Sequence, residues 1–491
     1  LSSVDVEEFA LTIKTVEGKV YFPRAVENTI ELMERRALEL GLDFVRVEPR
    51  VTRNYENLSL DIDYVLYRSP RVFVERIDIS GNSTTMDRVI RREFKVVEGD
   101  PFSSREMRAT AERIRALGFF DDAELTAKEG SAPNQKIVDV LVSEKPTGSL
   151  SFGANYNSTN GIGFLANYKE RNFLGRGQAL NFNLNNTTRT KTLNFGFDEP
   201  AILSRDIGFN FDLSFGSTDA NNARYDTENS LLLMALRFPV SEFGALKVKA
   251  LYKSELLNNV TTLSKVILKE GERSPVSGLG FGYSYSIDNR AKGRNPIGGT
   301  FLKFSQDLFH MSGSNLVETK FKLGRETSFR NKDIRVSAVF EAGSVGFLDN
   351  ESTRVTDRFF LGSNTFRGFA PGGLGPREEH GSINDALGGN HFTVARFEAR
   401  APSGLPEEYG IEFGTFMDVG SVWGLDSGTL NYVDSQSAMI KQEIFSIQSV
   451  VGASLFWTTP IGPLRFNWSR PLKKSSDNIY ENFDLTIGTS F

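Results

Sequence analysis

The sequence predicts a transmembrane antiparallel β-barrel of about sixteen strands, preceded by smaller α/β modules of β-α-α-β-β order. Three observations lead there. The first is composition: 491 residues, too many for an ordinary single domain unless it is a large barrel, with 40 Phe and 44 Gly but only 7 Met. Mean hydropathy is -0.28, and no run approaches the roughly 18 apolar residues of a membrane helix. A barrel strand turns only every second residue to lipid, so its hydropathy averages out. The second is a two-residue apolar period that sets in at Gly148 and persists to the last residue. The third is a different texture in residues 1–146, charged and alternately helix-like and strand-like.

Taken in order, Val20 to Gly41 carries a helix with Ala25, Val26, Ile30, Met33 and Leu38 on one face, stopped by Gly41. Strand-like runs follow at Phe44–Thr52 and Leu58–Tyr67. A second unit opens with Phe73–Ile79, which alternates like a strand and ends in a Gly81-Asn82 turn. Helices are expected at 84–95 and 103–117, the second opened by Ser103 with Glu106 near a capping-box position. Strands at 120–127 and 136–144 complete a β-α-α-β-β unit.

From Gly148 onward no helical period is read. Ile207, Phe209, Phe211, Leu213 and Phe215 alternate with Gly208, Asn210, Asp212 and Ser214, and Leu180, Phe182 and Leu184 alternate with asparagines. One apolar face repeated over so many long strands favours one large closed sheet. Strands are expected near 149–157, 162–173, 179–188, 191–199, 205–217, 227–239, 244–256, 274–287, 298–309, 314–328, 333–347, 389–401, 408–420, 446–458, 462–473 and 482–491. In the last, Phe483, Leu485, Ile487, Thr489 and Phe491 share a face, which places Phe491 in an aromatic girdle at the membrane boundary.

The longest gap between strands is the Gly-rich stretch 348–387, centred on Phe366-Arg367-Gly368-Phe369. Long connections of this kind are usually functional or disordered. An arginine held between two aromatics needs a planar, charged partner.

Other classes are poorly served. A net charge of -5 argues against nucleic acid, and the absence of cysteine excludes disulfides and thiol catalysis. Leu1-Ser2-Ser3-Val4 has neither the basic region nor the apolar core of a secretory leader, so a secreted form is expected to be mature or trimmed. His310, His380 and His391 lack ligand spacing, no nucleophile–base pair stands out, and no cofactor, metal or catalytic residue is expected.

Five stretches, in order along the chain, resemble motifs of the Omp85 family: Thr147–Gly153, Asn172–Gly177, Arg367-Gly368-Phe369, Asp418–Trp423 and Gly462–Phe466. The resemblance implies a partial penultimate POTRA domain at 1–68, a complete last one at 71–146, and a barrel at 147–491 with a lumen-inserted loop at 348–388. It implies that Arg367 contacts Glu398 and Asp418 on the twelfth and thirteenth strands. Strand parity agrees: if Phe397 and Ala399 face lipid, Glu398 faces inward, and if Met417 and Val419 face lipid, Asp418 faces inward too. It further implies a lateral seam between the first and last strands, with Ser149, Phe152 and Gly153 on one side and Gly488 and Phe491 on the other. Gly488 either weakens the last strand or is simply a small inward residue.

The implied function is non-enzymatic: folding and inserting β-barrel proteins into the outer membrane through that seam, with the POTRA domains in the periplasm. The implied partners are unfolded outer-membrane β-barrel substrates, accessory assembly lipoproteins, periplasmic chaperones and outer-membrane lipid. Within the family, autotransporter assembly and two-partner secretion stand as alternatives. A passive porin has no use for residues 1–146.

Overall fold

The computed structural model describes residues 7–491 apart from 41, 43–44, 69–71, 158–159, 203–204, 220–224, 242, 291–297, 330–333, 363–364, 381–382, 432–438, 460–461 and 488–491. It divides into two compact units, Leu1–Pro146 and Thr147–Phe491.

The first unit begins with α1 (Glu7–Ala10), α2 (Pro23–Glu39) and a two-stranded antiparallel sheet of β1 (Val45–Asn54) and β2 (Ser59–Arg68). The buried stripe of α2, with Met33 and Ala37, packs on Val45 and Val47. Next come β3 (Phe73–Ser80), α3 (Asp87–Arg91), α4 (Ser104–Ala116), β4 (Phe120–Glu129) and β5 (Gln135–Glu144). Their sheet has the order β3-β5-β4, with β5 parallel to β3 and antiparallel to β4. Alternate β5 residues Val138, Val140 and Val142 meet Met107 and Ile114 of α4 in one core. The Ser103 hydroxyl caps α4 by accepting from the Glu106 amide.

The helix expected at 84–95 shrinks to the five residues of α3. The Glu144 carboxylate explains its late start. It accepts from the backbone of Thr84 (2.9 Å) and Thr85 (2.6 Å) and from the Ser83 hydroxyl (2.8 Å), holding those residues off the helix. Burial works against the charge, but bonds to Thr85, Ser83 and Thr84 prevail and hold the Glu144 carboxyl down to about 2. At the other end, Glu93 and Phe94 donate to carbonyls three residues back, which tightens the chain out of the α-helix.

The second unit is a closed antiparallel barrel. Its wall runs through β6 (Gly148–Asn157), β7 (Gly161–Phe173), β8 (Gln178–Thr187), β9 (Thr190–Glu199), β10 (Gly208–Asp219), β11 (Asp226–Pro239) and β12 (Gly244–Asn258). Helix α5 (Lys265–Glu272) intervenes before β13 (Val276–Asp288), β14 (Gly298–Met311), β15 (Ser314–Phe329) and β16 (Ile334–Phe347). Two short strands, β17 (Arg377–His380) and β18 (Ile383–Ala386), lie in the following loop. The wall resumes with β19 (His391–Pro402) and β20 (Ile411–Trp423). After α6 (Ser427–Leu430) and β21 (Met439–Lys441), it ends with β22 (Gln448–Thr459), β23 (Gly462–Pro471) and β24 (Phe483–Ile487). Each wall strand pairs with its sequence neighbour in the wall, and β24 returns to β6. Phe182, Phe195 and Phe215 face outward and are exposed, as alternation requires.

Helix α5 corrects the expectation that helices stop at Gly148. Its eight residues are too few to show a period among alternating strands, yet Val266, Ile267 and Glu270 are buried on one face and Ser264 caps it by accepting from Ile267. The strand expected at 205–217 starts at Gly208, because Ile202 and Ile207 close a turn through an amide–carbonyl bond of 2.8 Å. The strand expected at 482–491 is described as Phe483–Ile487; Gly488 and Phe491 lie outside the described residues.

Candidate functional site

The loop between β16 and β19 lies against the inner wall of the barrel. Phe397 on β19 (48%) and Met417 on β20 (39%) are exposed, so the residues that follow them, Glu398 and Asp418, point the other way. The loop meets them there. Arg367 donates to Asp418 from Nε to Oδ2 at 2.8 Å and from Nη2 to Oδ1 at 2.5 Å, and its backbone amide adds a third bond to Oδ2 at 3.0 Å. Its Nη1 reaches Glu398 Oε2 at 2.5 Å. The guanidinium plane also sits 3.8 Å from the ring centroid of Phe416.

The sequence shapes this anchor locally. Phe366 and Phe369 are fully buried with ring centroids 4.9 Å apart, and they share a cluster with Leu361, Leu374, Val394, Phe416, Val422 and Val450. Gly368 turns the chain at φ +87, where a side chain would be strained. A Cβ there would also lie 2.8 Å from Val450 Cγ1. The turn thus drives both rings into the wall and leaves the arginine facing the carboxylates.

Arg367, Gly368, Phe369, Glu398 and Asp418 therefore come together at one place. Sequence reasoning missed two further members. Glu398 also accepts from Arg465 Nη2 at 2.8 Å and from Arg400 Nε at 2.6 Å, so one carboxylate serves three guanidinium groups. Parity could have found both. Arg400 shares the face of Glu398, and Arg465 is flanked by Leu464 and Phe466. Removing one member of such a buried set leaves an uncompensated charge, which costs about 3–5 kcal/mol.

A second buried ion cluster ties the same loop to the end of β12 and to α5. Arg354 donates to Asp357 and Glu255, each at 2.9 Å, and Lys253 lies 2.5 Å from Glu255. Arg358 pairs with Glu270 of α5, which also accepts from the Val355 amide at 2.7 Å. No pattern marked this cluster in the sequence, because Arg354, Asp357, Arg358 and Glu270 come from connections whose folding strand periodicity does not describe, although Lys253 and Glu255 lie on β12.

The seam residues are less concentrated. Ser149, Phe152 and Gly153 pair with Lys169, Ala166 and Leu165 of β7. Among the described residues, β24 meets β6 through Thr486↔Asn157 and Ile487↔Tyr156. By contrast β14 pairs with β15 from Gly298↔Thr327 to Met311↔Ser314.

A closed sixteen-strand barrel with an arginine-anchored internal loop, led by a β-α-α-β-β module, defines a class: transmembrane β-barrels of the outer membrane that carry soluble α/β domains. The chain belongs to the Omp85 superfamily, whose domain model matches residues 172–491, and the POTRA model (surface antigen variable number repeat) matches residues 72–145. It is 27% identical over 99% of its length to the outer membrane protein assembly factor BamA of Neorickettsia risticii, and 23% identical over 99% to that of Neisseria meningitidis serogroup B. The chain spans 64% of the length of each of these relatives. Its fold is similar to that of BamA from Haemophilus ducreyi lacking POTRA domains 1–3, with a TM-score of 0.71 at 20% identity, covering 98% of this chain and 96% of the other.

Proposed function

We propose that this chain folds and inserts β-barrel proteins into the outer membrane, using the seam between β6 and β24 as a template edge. Two curated relatives that match nearly the whole chain carry the name of outer membrane protein assembly factor. The observation that carries the mechanism is the contrast in strand pairing. Among the described residues, β24 (Phe483–Ile487) meets β6 in two residue pairs and β23 in five, whereas the other neighbours in the wall share eight or more. A closed barrel has no free edge, and an edge is what an incoming strand needs. The Arg367 anchor, with Glu398 and Asp418, holds the loop to β19 and β20 while the seam parts. Ser149, Phe152 and Gly153 lie on the β6 side; Gly488 and Phe491, assigned by the same reading to the other side, lie outside the described residues.

Residues 1–68 act as a further, partial POTRA domain ahead of the last one at 71–146, and the barrel occupies 147–491 with its inserted loop at 348–388. The POTRA units dock accessory lipoproteins and receive unfolded substrates from periplasmic chaperones. Chemistry on substrate is not required; the gain is backbone pairing and burial of apolar surface in lipid.

The chain contains no cysteine, so a pair introduced by Tyr156→Cys and Ile487→Cys reports on the seam alone. Cross-linking is expected to block insertion of new barrels until a reductant is added. Normal insertion by the cross-linked protein overturns the seam mechanism. Depletion should lower outer-membrane barrels generally, and loss confined to one secreted class would instead assign the chain to secretion.

A further inference from the structure

We infer that the connection leading into β24 is part of the loop anchor, and that Arg465, Asn467 and Tyr480 are positioning residues through which the anchored loop sets the placement of β24. This rests on the seam reading above and adds the residues that regulate it.

Two independent strings of contacts carry the inference. The first is backbone. Past Gly368, the loop runs beside residues 479–481 as a short strand-like pairing. The Glu481 amide donates to the Gly368 carbonyl at 3.1 Å, the Ala370 amide to the Ile479 carbonyl at 3.0 Å, and the Ile479 amide to the Gly373 carbonyl at 2.8 Å. Approach is close enough that a Cβ on Gly373 would lie 2.3 Å from the Ile479 carbonyl oxygen. Phe369 packs against Tyr480 with ring centroids 5.2 Å apart and planes tilted by 37°, and the Tyr480 hydroxyl accepts from the Ser475 amide at 2.7 Å, bracing the connection. Residue 481 is two positions before β24 begins.

The second string is made of side chains on the wall. Glu398, held by Arg367, accepts from Arg465 at 2.8 Å. Arg465 Nε donates to Asn467 Oδ1 at 3.0 Å, and Ser454 donates to the same oxygen at 2.7 Å. Asn467 Nδ2 then donates to Asp484 Oδ2 at 3.1 Å, in β24 itself. Asn467 is 4% exposed, so this chain of bonds is shielded from competing water. The loop that pins the far wall thus also grips the closing strand, once through its lead-in segment and once through its polar face. Release of the loop and loosening of β24 become one coupled event, because each bond chain has its ends on both.

The decisive variant is Asn467→Asp. An aspartate keeps acceptor oxygens for Arg465 and Ser454 but opposes Asp484 with a like charge, and its volume is unchanged. In the full chain reconstituted in lipid, amide hydrogen exchange over Phe483–Ile487 should accelerate by about tenfold, the effect of losing one hydrogen bond to a charged group. Exchange in β10 and β11 should stay at the parental rate. Adding Asp484→Asn restores a donor–acceptor pair and should return β24 to parental exchange. Tyr480→Ala, which leaves the side-chain string intact, should accelerate exchange over the same residues and raise protease access to the loop. Unchanged β24 exchange in both Asn467→Asp and Tyr480→Ala overturns the coupling, as does failure of the double variant to recover. These measurements read the strand itself and need no substrate, so a wrong assignment of function would leave their outcome intact.

Discussion

Arg367 binds Asp418 with its backbone as well as its side chain, and Asp418 is completely buried beneath it. The carboxylate therefore does two jobs: it fixes the turn of the loop and it neutralises the guanidinium.

Asp418→Asn keeps an acceptor for the backbone amide and removes the charge. It is expected to destabilise the barrel by about 3 kcal/mol, because Arg367 then sits buried with Glu398 as its remaining anionic partner, itself shared with two other arginines. Arg367→Glu should be worse, and Glu398→Arg or Asp418→Arg in that background should recover part of the loss. Urea unfolding read by the heat-modified band shift on gels checks both, and wild-type behaviour in all single variants would remove the anchor role.

Gly368→Ala tests the turn. The left-handed φ and the contact with Val450 together should cost about 1–3 kcal/mol. Adding Val450→Ala relieves the contact but not the backbone strain, so the double variant should regain only a fraction. Full recovery would show that crowding alone matters.

The Arg358–Glu270 pair should act as a separate latch on the outer connections. Arg358→Met is expected to expose α5 to protease while the Arg367 anchor and the barrel stay intact, since the two ion clusters have no side chain in common. Cleavage within 259–275 is the readout.

Acid should reach the amino-terminal unit through Glu144. Its folded carboxyl titrates at about 2, below the ordinary 4.5, so its contribution is fully present above about pH 4.5 and is lost as pH falls toward 2. Allowing for solvent screening of this partly exposed group, about 1 kcal/mol is at stake. Glu144→Gln should lower stability at neutral pH and flatten the pH dependence between 5 and 2, measured by thermal unfolding of residues 72–146.

Strand period made the wall legible, because a two-residue repeat survives whatever lies inside the barrel. The inward faces of Glu398 and Asp418 followed from the same parity. Arg465 and Arg400 were open to that argument too, but nothing in a single sequence says that the loop, β19 and β23 bring three arginines to one carboxylate. Helix α5 and the Arg354–Arg358 cluster were not legible, since loops fold by contacts between distant segments rather than by local repeats. The Phe369–Tyr480 contact belongs to the same kind: neither residue carries a pattern pointing to the other.

That contact also constrains the order in which the chain can assemble. Phe369 and Gly368 must wait for Ile479–Glu481, more than a hundred residues later, and those residues arrive immediately ahead of β24. Contacts so far apart in sequence form late, after loop-closure entropy has been overcome. Seating of the loop and arrival of the final strand then fall in the same kinetic step, and a barrel of this design completes its interior and its circumference together.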